Sequence, residues 1–322
     1  MKRFGLIATI LVVAASCDKA RQVVSDARGE PAATGVPEQR LDLAAKPEVL
    51  FQVFGERDDP RMIPVAAVVN GALVPISLSA SGWRQFDAMY ARAGETYALY
   101  RDGAPAGRMR VRRGMWETGA EPLYSLPGCA QLIPLAAVTI DASAPRSFTV
   151  EYLATTAGLV PRGRPRPSTS AALSRRARDL AYTVAAQSGV PRSALSDSAF
   201  QATAIASGAT VAPTVVASFL DGTASSAENG SAHVFMLADS TSGGYAPTFR
   251  HVAPAASSDA EFRRYVNHID INGDGVDEVL LEGWRWGGDT FVIGLSFRDG
   301  EWTETFRGRP SWCLDAPSGS KQ

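Results

Sequence analysis

Asp270-Ile271-Asn272-Gly273-Asp274-Gly275-Val276-Asp277-Glu278-Val279-Leu280-Leu281 is the stretch on which the rest of the chain is read. Oxygen-bearing side chains stand at its positions 1, 3, 5, 8 and 9, with glycine at position 6. A hard cation such as Ca²⁺ takes six to eight oxygens, and a short loop supplies them by alternating ligand side chains with a sharp turn. The same Asn, Asp and Gly residues also suit a plain Asx-rich turn that binds nothing. The chain beyond the loop is β in character. Val279 to Trp286, the turn Gly287-Gly288-Asp289, Thr290 to Phe297, the turn Asp299-Gly300 and Trp302 to Phe306 read as a three-stranded meander. Phe291, Ile293, Leu295 and Phe297 alternate with polar residues, which predicts one buried face.

Upstream the pattern is also β. Strands are expected at 199–206, 211–220, 232–238 and 245–252, after a helix whose stripe is Leu173, Ala177, Leu180 and Val184. Ser168 or Ser170 can cap that helix, and Gly189 with Pro191 stops it. Before it, Gly158, Pro161, Gly163, Pro165 and Pro167 interleave with Arg162, Arg164 and Arg166, a run that reads as a solvated linker. Further back, Val49 to Phe54, Val65 to Val69, Ala72 to Leu78, Thr96 to Arg101, Gly107 to Arg113, Leu132 to Ile140 and Phe148 to Leu153 read as strands. Asn70-Gly71 and Asp102-Gly103 supply hairpin turns between them, since both central residues of a type I′ turn need φ > 0. Trp83, Phe86 and Tyr90 mark a short amphipathic helix over 82–93, ended by Gly94. The expected fold is mainly β (α+β), two antiparallel β-rich domains at 47–156 and 168–315, each with a short helix. A linker at 157–167 separates them, and a disordered tail at 316–322 ends the chain.

The loop and its following strand resemble the calcium loops of FG-GAP and VCBS repeats, the units of integrin-like β-propellers. In those repeats an Asp-x-Asn-Gly-Asp-Gly loop joins two strands and a carboxylate at position 9 completes the shell. The resemblance implies Asp270, Asn272, Asp274 and Glu278 as side-chain ligands of Ca²⁺ and Val276 as a carbonyl ligand, with Asp277 and Glu278 competing for the last place. An EF-hand does not fit, because position 12 is Leu281 and a strand comes next. The motif occurs once, so a single calcium-clipped sheet is expected and not a full β-propeller. Its affinity should be modest, on the order of 10⁻⁴ to 10⁻³ M as in extracellular modules.

The N-terminus points to export. Lys2-Arg3 precedes an apolar run from Phe4 to Ala15, and Ala14-Ala15-Ser16 leads into Cys17. That run is too short to cross a bilayer of ~30 Å as a helix, so 1–16 reads as a signal peptide. The small residues before Cys17 resemble a bacterial lipobox, which implies lipidation of Cys17 and a cell-envelope lipoprotein facing the periplasm or the exterior. Ordinary cleavage after Ser16, giving a secreted soluble protein, fits the same residues. Residues 17–46, rich in Ala, Gly, Pro and charge, read as a flexible tether. Cys129 and Cys313 then remain as an even pair, expected to form a disulfide in an oxidising compartment, or else two buried thiols.

A net charge of −1 gives no field suited to nucleic acid. The expected partners are the membrane, through the lipid, and an envelope protein or glycan; the chain is expected to be a monomer. The three histidines, His233, His251 and His268, form no recognisable catalytic motif. Trp284 and Trp286 share a strand face, a packing or contact stripe. Two functions remain open: a non-enzymatic binding or scaffolding protein with structural Ca²⁺, or an envelope hydrolase of glycan or peptide with unidentified catalytic residues.

Overall fold

The computed structural model describes residues 41–116, 135–142, 148–156, 163–220, 232–254, 260–285 and 290–308. These all fall within one unit, Arg40–Gln322. The signal peptide, Cys17, Cys129, Cys313, Trp286, the turn 287–289, linker residues 157–162 and the tail 316–322 lie outside them.

The protein is mainly β, and every strand pairing among the described residues is antiparallel. The first half contains strands β1 (Glu48–Glu56), β2 (Asp59–Val69), β3 (Ala72–Val74), β4 (Thr96–Arg101), β5 (Ala104–Arg113), β6 (Ala136–Ala142) and β7 (Thr149–Thr155). Their order is β1-β7-β4-β5-β6-β2-β3, and β1 also pairs with β2, so six of them close into a barrel with β3 as an appended strand. Both predicted type I′ turns form: Asn70 and Gly71 have φ of 52° and 74°, and Asp102 and Gly103 have 50° and 70°. Helix α1 (Ala80–Tyr90), capped by the Ser79 side chain, delivers Trp83, Phe86 and Tyr90 into the barrel core beside Phe51, Val53, Met62, Met109 and Val138. The ring centroids of Trp83 and Phe86 lie 5.3 Å apart and those of Phe51 and Tyr97 5.4 Å apart. A barrel this small is filled by its own side chains. Part of the tether expected to end at 46 is packed. Leu43 is buried in a 3₁₀ turn capped by Asp42, and Leu41 packs against the same core.

The second half is a sandwich under a helix. Helix α2 (Ala171–Gln187) is capped by Ser170 rather than Ser168, and it lays Ala177, Ala181 and Val184 on a sheet of order β11-β10-β9-β8. These strands are β8 (Phe200–Ile205), β9 (Thr214–Phe219), β10 (His233–Thr241) and β11 (Gly244–Ala253). The opposite face of that sheet meets a second one, ordered β12-β13-β14-β15. It comprises β12 (Glu261–Ile269), β13 (Glu278–Arg285), β14 (Thr290–Arg298) and β15 (Glu301–Gly308). The expected three-stranded meander therefore has a fourth strand, β12, on the other side of the acidic loop.

The expectation of one buried face is corrected for this last sheet, which is buried on both. Val279, Leu281, Ile293 and Leu295 face the helix-backed sheet, while Leu280 and Val292 face the barrel wall at Leu50, Val65, Val68 and Leu153. The unbroken run Val279-Leu280-Leu281 is the pattern of a strand covered on two sides. Arg264 adds a polar tie across the junction. Its Nη1 and Nη2 donate to the Glu151 carboxylate on β7 at 3.0 and 2.8 Å, and its Nε donates to Glu282 at 2.5 Å.

Candidate metal centre

The loop joins β12 to β13 as a hairpin connection, and its acidic side chains first serve its own backbone. Asp270 Oδ1 accepts the Gly273 N–H at 2.7 Å and Oδ2 the Gly275 N–H at 3.1 Å. Asn272 Oδ1 accepts from Asp274 N–H (2.8 Å), Asp274 Oδ1 from Val276 N–H (2.7 Å) and Glu278 Oε2 from Ile271 N–H (3.0 Å). Successive Asx turns of this kind coil a backbone around its own carboxylates. Gly273 and Gly275, with φ of 75° and 91°, allow the tight path.

The remaining oxygens converge. The Asn272 amide Nδ2 donates to Asp274 Oδ2 at 3.0 Å and to Glu278 Oε1 at 3.2 Å. Two carboxylate oxygens from different parts of the loop thus meet at one donor, within reach of a single cation. Glu278 is 6% exposed. Burial pushes its carboxyl up to about 7, hydrogen bonds from the Ile271 and Glu278 N–H groups oppose this, and the charges of Asp274 and Asp270 add to the rise. A carboxylate held against like charge in a desolvated place is what a hard cation relieves. All four candidate side chains present hard oxygen donors, so they fit Ca²⁺ chemically. Among the described residues no trio of His, Cys, Asp and Glu is already gathered as a metal cage; this set includes an amide, and Asn272 and Asp274 are exposed.

Asp277 has other partners. Its Oδ2 lies 2.5 Å from His268 Nδ1 and its Oδ1 accepts from Arg164 Nη1 at 3.3 Å. Its N–H donates to Ser207 O at 2.7 Å. Of the two competitors for the last ligand place, Glu278 faces the loop and Asp277 faces the protein. Arg164, expected to be solvated, is instead inserted beside the loop: it also donates to Ala206 O at 3.0 Å and to Gly275 O. Arg166 pairs with Asp102 at 2.6 Å. A linker arginine with three carbonyl and carboxylate acceptors is a structural tie.

Two barrel hairpins press on this assembly. A Cβ added at Gly71 would sit 2.9 Å from Asn272 Cβ, and one at Gly103 would sit 2.5 Å from Asp277 Oδ2 and 2.6 Å from His268 Cε1. The Asp102 N–H donates to Asn267 Oδ1 at 2.8 Å. Both tips are glycine for two reasons at once, a left-handed φ and a close approach. Gly103→Ala is therefore expected to cost about 2 kcal/mol or more, combining left-handed backbone strain with the clash. Urea unfolding would measure it, and a loss under about 0.5 kcal/mol would contradict the packing described.

Neither Asp277, His268 nor Arg164 could be placed from local sequence, since their partners lie up to 113 residues away. Trp284 stacks on Phe262 at 5.9 Å, a packing contact. Among the described residues no helix is long and apolar enough to cross a membrane. No family model, curated protein or solved structure matches the chain.

Proposed function

We propose that the chain is an exported envelope protein, anchored by lipid on Cys17, of binding or scaffolding type, in which loop 270–278 takes one structural Ca²⁺. Asp270, Asn272, Asp274 and Glu278 would hold the ion through their side chains and Val276 through its carbonyl. The ion would neutralise the loop's acidic cluster. The convergence of Asp274 Oδ2 and Glu278 Oε1 on a single donor carries this reading. The loop is a single clip between two strands, not one blade of a propeller, and it lies where β12–β15 meets the barrel hairpins. A membrane-tethered monomer with a wide, stiffened β surface suits recognition of an envelope protein or glycan.

Thermal unfolding of the full chain tests the ion. At a hundredfold excess of Ca²⁺ over its dissociation constant the gain is about 2.7 kcal/mol, or about 4–5 °C in midpoint for a protein of this size. Chelator should reverse it and Glu278→Gln should shrink it. A midpoint unchanged by 10 mM Ca²⁺, about ten to a hundred times the expected dissociation constant of 10⁻⁴ to 10⁻³ M, would remove the structural-calcium reading. Mass spectrometry of the mature N-terminus tests the anchor: an unmodified Cys17 would remove it.

The hydrolase alternative would need an accessible acid–base pair. His268 and Asp277 form such a pair chemically, but they are 1% and 2% exposed and closed off by the Gly103 turn.

A further inference from the structure

A second charged feature lies away from the loop, on the outer wall of the barrel. It is a cleft of about 480 Å³ lined by Asp59, Arg61, Arg112, Arg113 and Ala137. It sits where β6 meets β2 through only two residue pairs, Arg61 with Ala137 and Met62 with Ala136. On the other side of β6, Ala137 also pairs with Arg113, across a bulge that follows Val111. Directly paired residues share a sheet face. Arg61 and Arg113 therefore flank Ala137 on the face opposite Met62, Ala136 and Val138, which fill the barrel. Ala137, 1% exposed, lies beneath the two arginine side chains.

The charge there is unbalanced. Asp59 accepts from Arg61 Nη2 at 2.6 Å and from Arg112 Nη2 at 2.5 Å. Arg113 has no carboxylate partner among the described residues, so three cations face one anion. Arg61 Nε and Nη1 and Arg113 Nε are buried with no hydrogen-bond acceptor among the described residues. Buried donors on a charged group are costly when left unmade. Two guanidinium forks suit an anion with several oxygens, which can accept from both at once.

We propose that this cleft binds a phosphate oxyanion, free or as the headgroup of a phospholipid. Arg113, through its guanidinium ends, and the half-exposed Arg112 are its donors, Arg61 adds positive charge behind them, and Asp59 positions Arg61 and Arg112. The site lies at the ends of β2 and β5 remote from the acidic loop, about 30 Å away along strands of roughly ten residues, and does not depend on calcium.

The test titrates inorganic phosphate into the full chain by calorimetry, at constant ionic strength against chloride, with Arg113→Gln and the half-exposed Arg112→Gln beside the wild type. Thermal unfolding checks that each variant folds. A second arm sediments the protein with vesicles of phosphatidylglycerol or of phosphatidylcholine alone. Saturable one-to-one binding is expected, weakened at least tenfold by Arg113→Gln and at least threefold by Arg112→Gln. Arginine-dependent binding of free phosphate without vesicle pelleting identifies a soluble ligand; arginine-dependent pelleting with phosphatidylglycerol identifies the headgroup. No saturable binding in either arm, or binding that both variants leave unchanged, would overturn the proposal.

Discussion

Lowering the pH from 7 to 4 is expected to destabilise the protein by about 3 kcal/mol through His233 alone. This imidazole is 1% exposed on β10. Its Nδ1–H donates to Phe219 O at 2.9 Å, and its Nε2 accepts the Arg263 N–H at 3.0 Å. The second bond requires a neutral ring, because protonation would set two N–H groups against each other. Desolvation, the main cause, with smaller contributions from His251 and Arg263, pushes the folded value from 6.5 down to about 3. The hydrogen bond to Phe219 and the charge of Glu261 oppose it. A folded pKa below the unfolded one means that stability is complete above about 6.5 and is lost as the pH falls from there towards 3. His251, also lowered, chiefly by burial, acts in the same direction. Glu278, raised, acts in the opposite one. Comparing urea unfolding of the wild type with His233→Gln at pH 7, 5.5 and 4 cancels both. Gln keeps a donor and an acceptor without titrating, so the variant should show the shallower pH slope. Equal slopes would refute the assignment.

Asp239→Ala is expected to cost about 3–5 kcal/mol, the range for removing one member of a buried charged network. The carboxylate is 1% exposed and accepts from Thr214 Oγ1 at 2.5 Å, from Trp302 Nε1 at 2.8 Å and from Thr248 Oγ1. Thr214 is shared in turn with Ser207 Oγ at 2.5 Å. One side chain thus joins β9, β10 and β11 to β15 of the facing sheet, and alanine removes the acceptor of all three donors, with Trp302 Nε1 losing the one it has. Asp239→Asn, which keeps one acceptor oxygen, should lose about half as much. Urea unfolding followed by tryptophan fluorescence would read both, and a loss below about 1 kcal/mol for Asp239→Ala would show that the donors find other acceptors.

Legible in the sequence is whatever neighbours in the chain determine. Asn70-Gly71 and Asp102-Gly103 name their own turns, because few other pairs take positive φ at both positions. A serine at 168 or 170 names the start of α2 and alternation names β14, whereas the Ser79 cap, which starts α1 two residues before the expected 82, goes unread. Strand β12 has no such signal, because Arg263, Arg264, Asn267 and His268 interrupt any apolar pattern. Their partners are Glu261 and Glu304, Glu151 and Glu282, the Asp102 N–H, and Asp277. Most of these are remote in sequence. The closing of the barrel has no local signature either, since β1 meets β7 across about a hundred residues. At the loop, ligand-type residues and their spacing are legible, whereas the choice between Asp277 and Glu278 is not. Asp277 is engaged by His268 and Arg164, contacts that no local pattern names.

The joining of β1 to both β2 and β7 also bears on how the chain reaches this state. The β1–β2 hairpin is local, but β7 must find Leu50–Glu56 after every other barrel strand has been synthesised. The Gly71 tip must then meet Asn272, about two hundred residues on. Loop-closure entropy grows with such separations, and β topologies dominated by them fold in milliseconds to seconds rather than microseconds. Until β7 arrives, β1 has a free edge at Leu50–Glu56, and until the Gly71 tip is seated the acidic loop lacks one of its two supports. If the loop holds the proposed Ca²⁺, its affinity for the ion belongs to the finished chain and not to the loop alone.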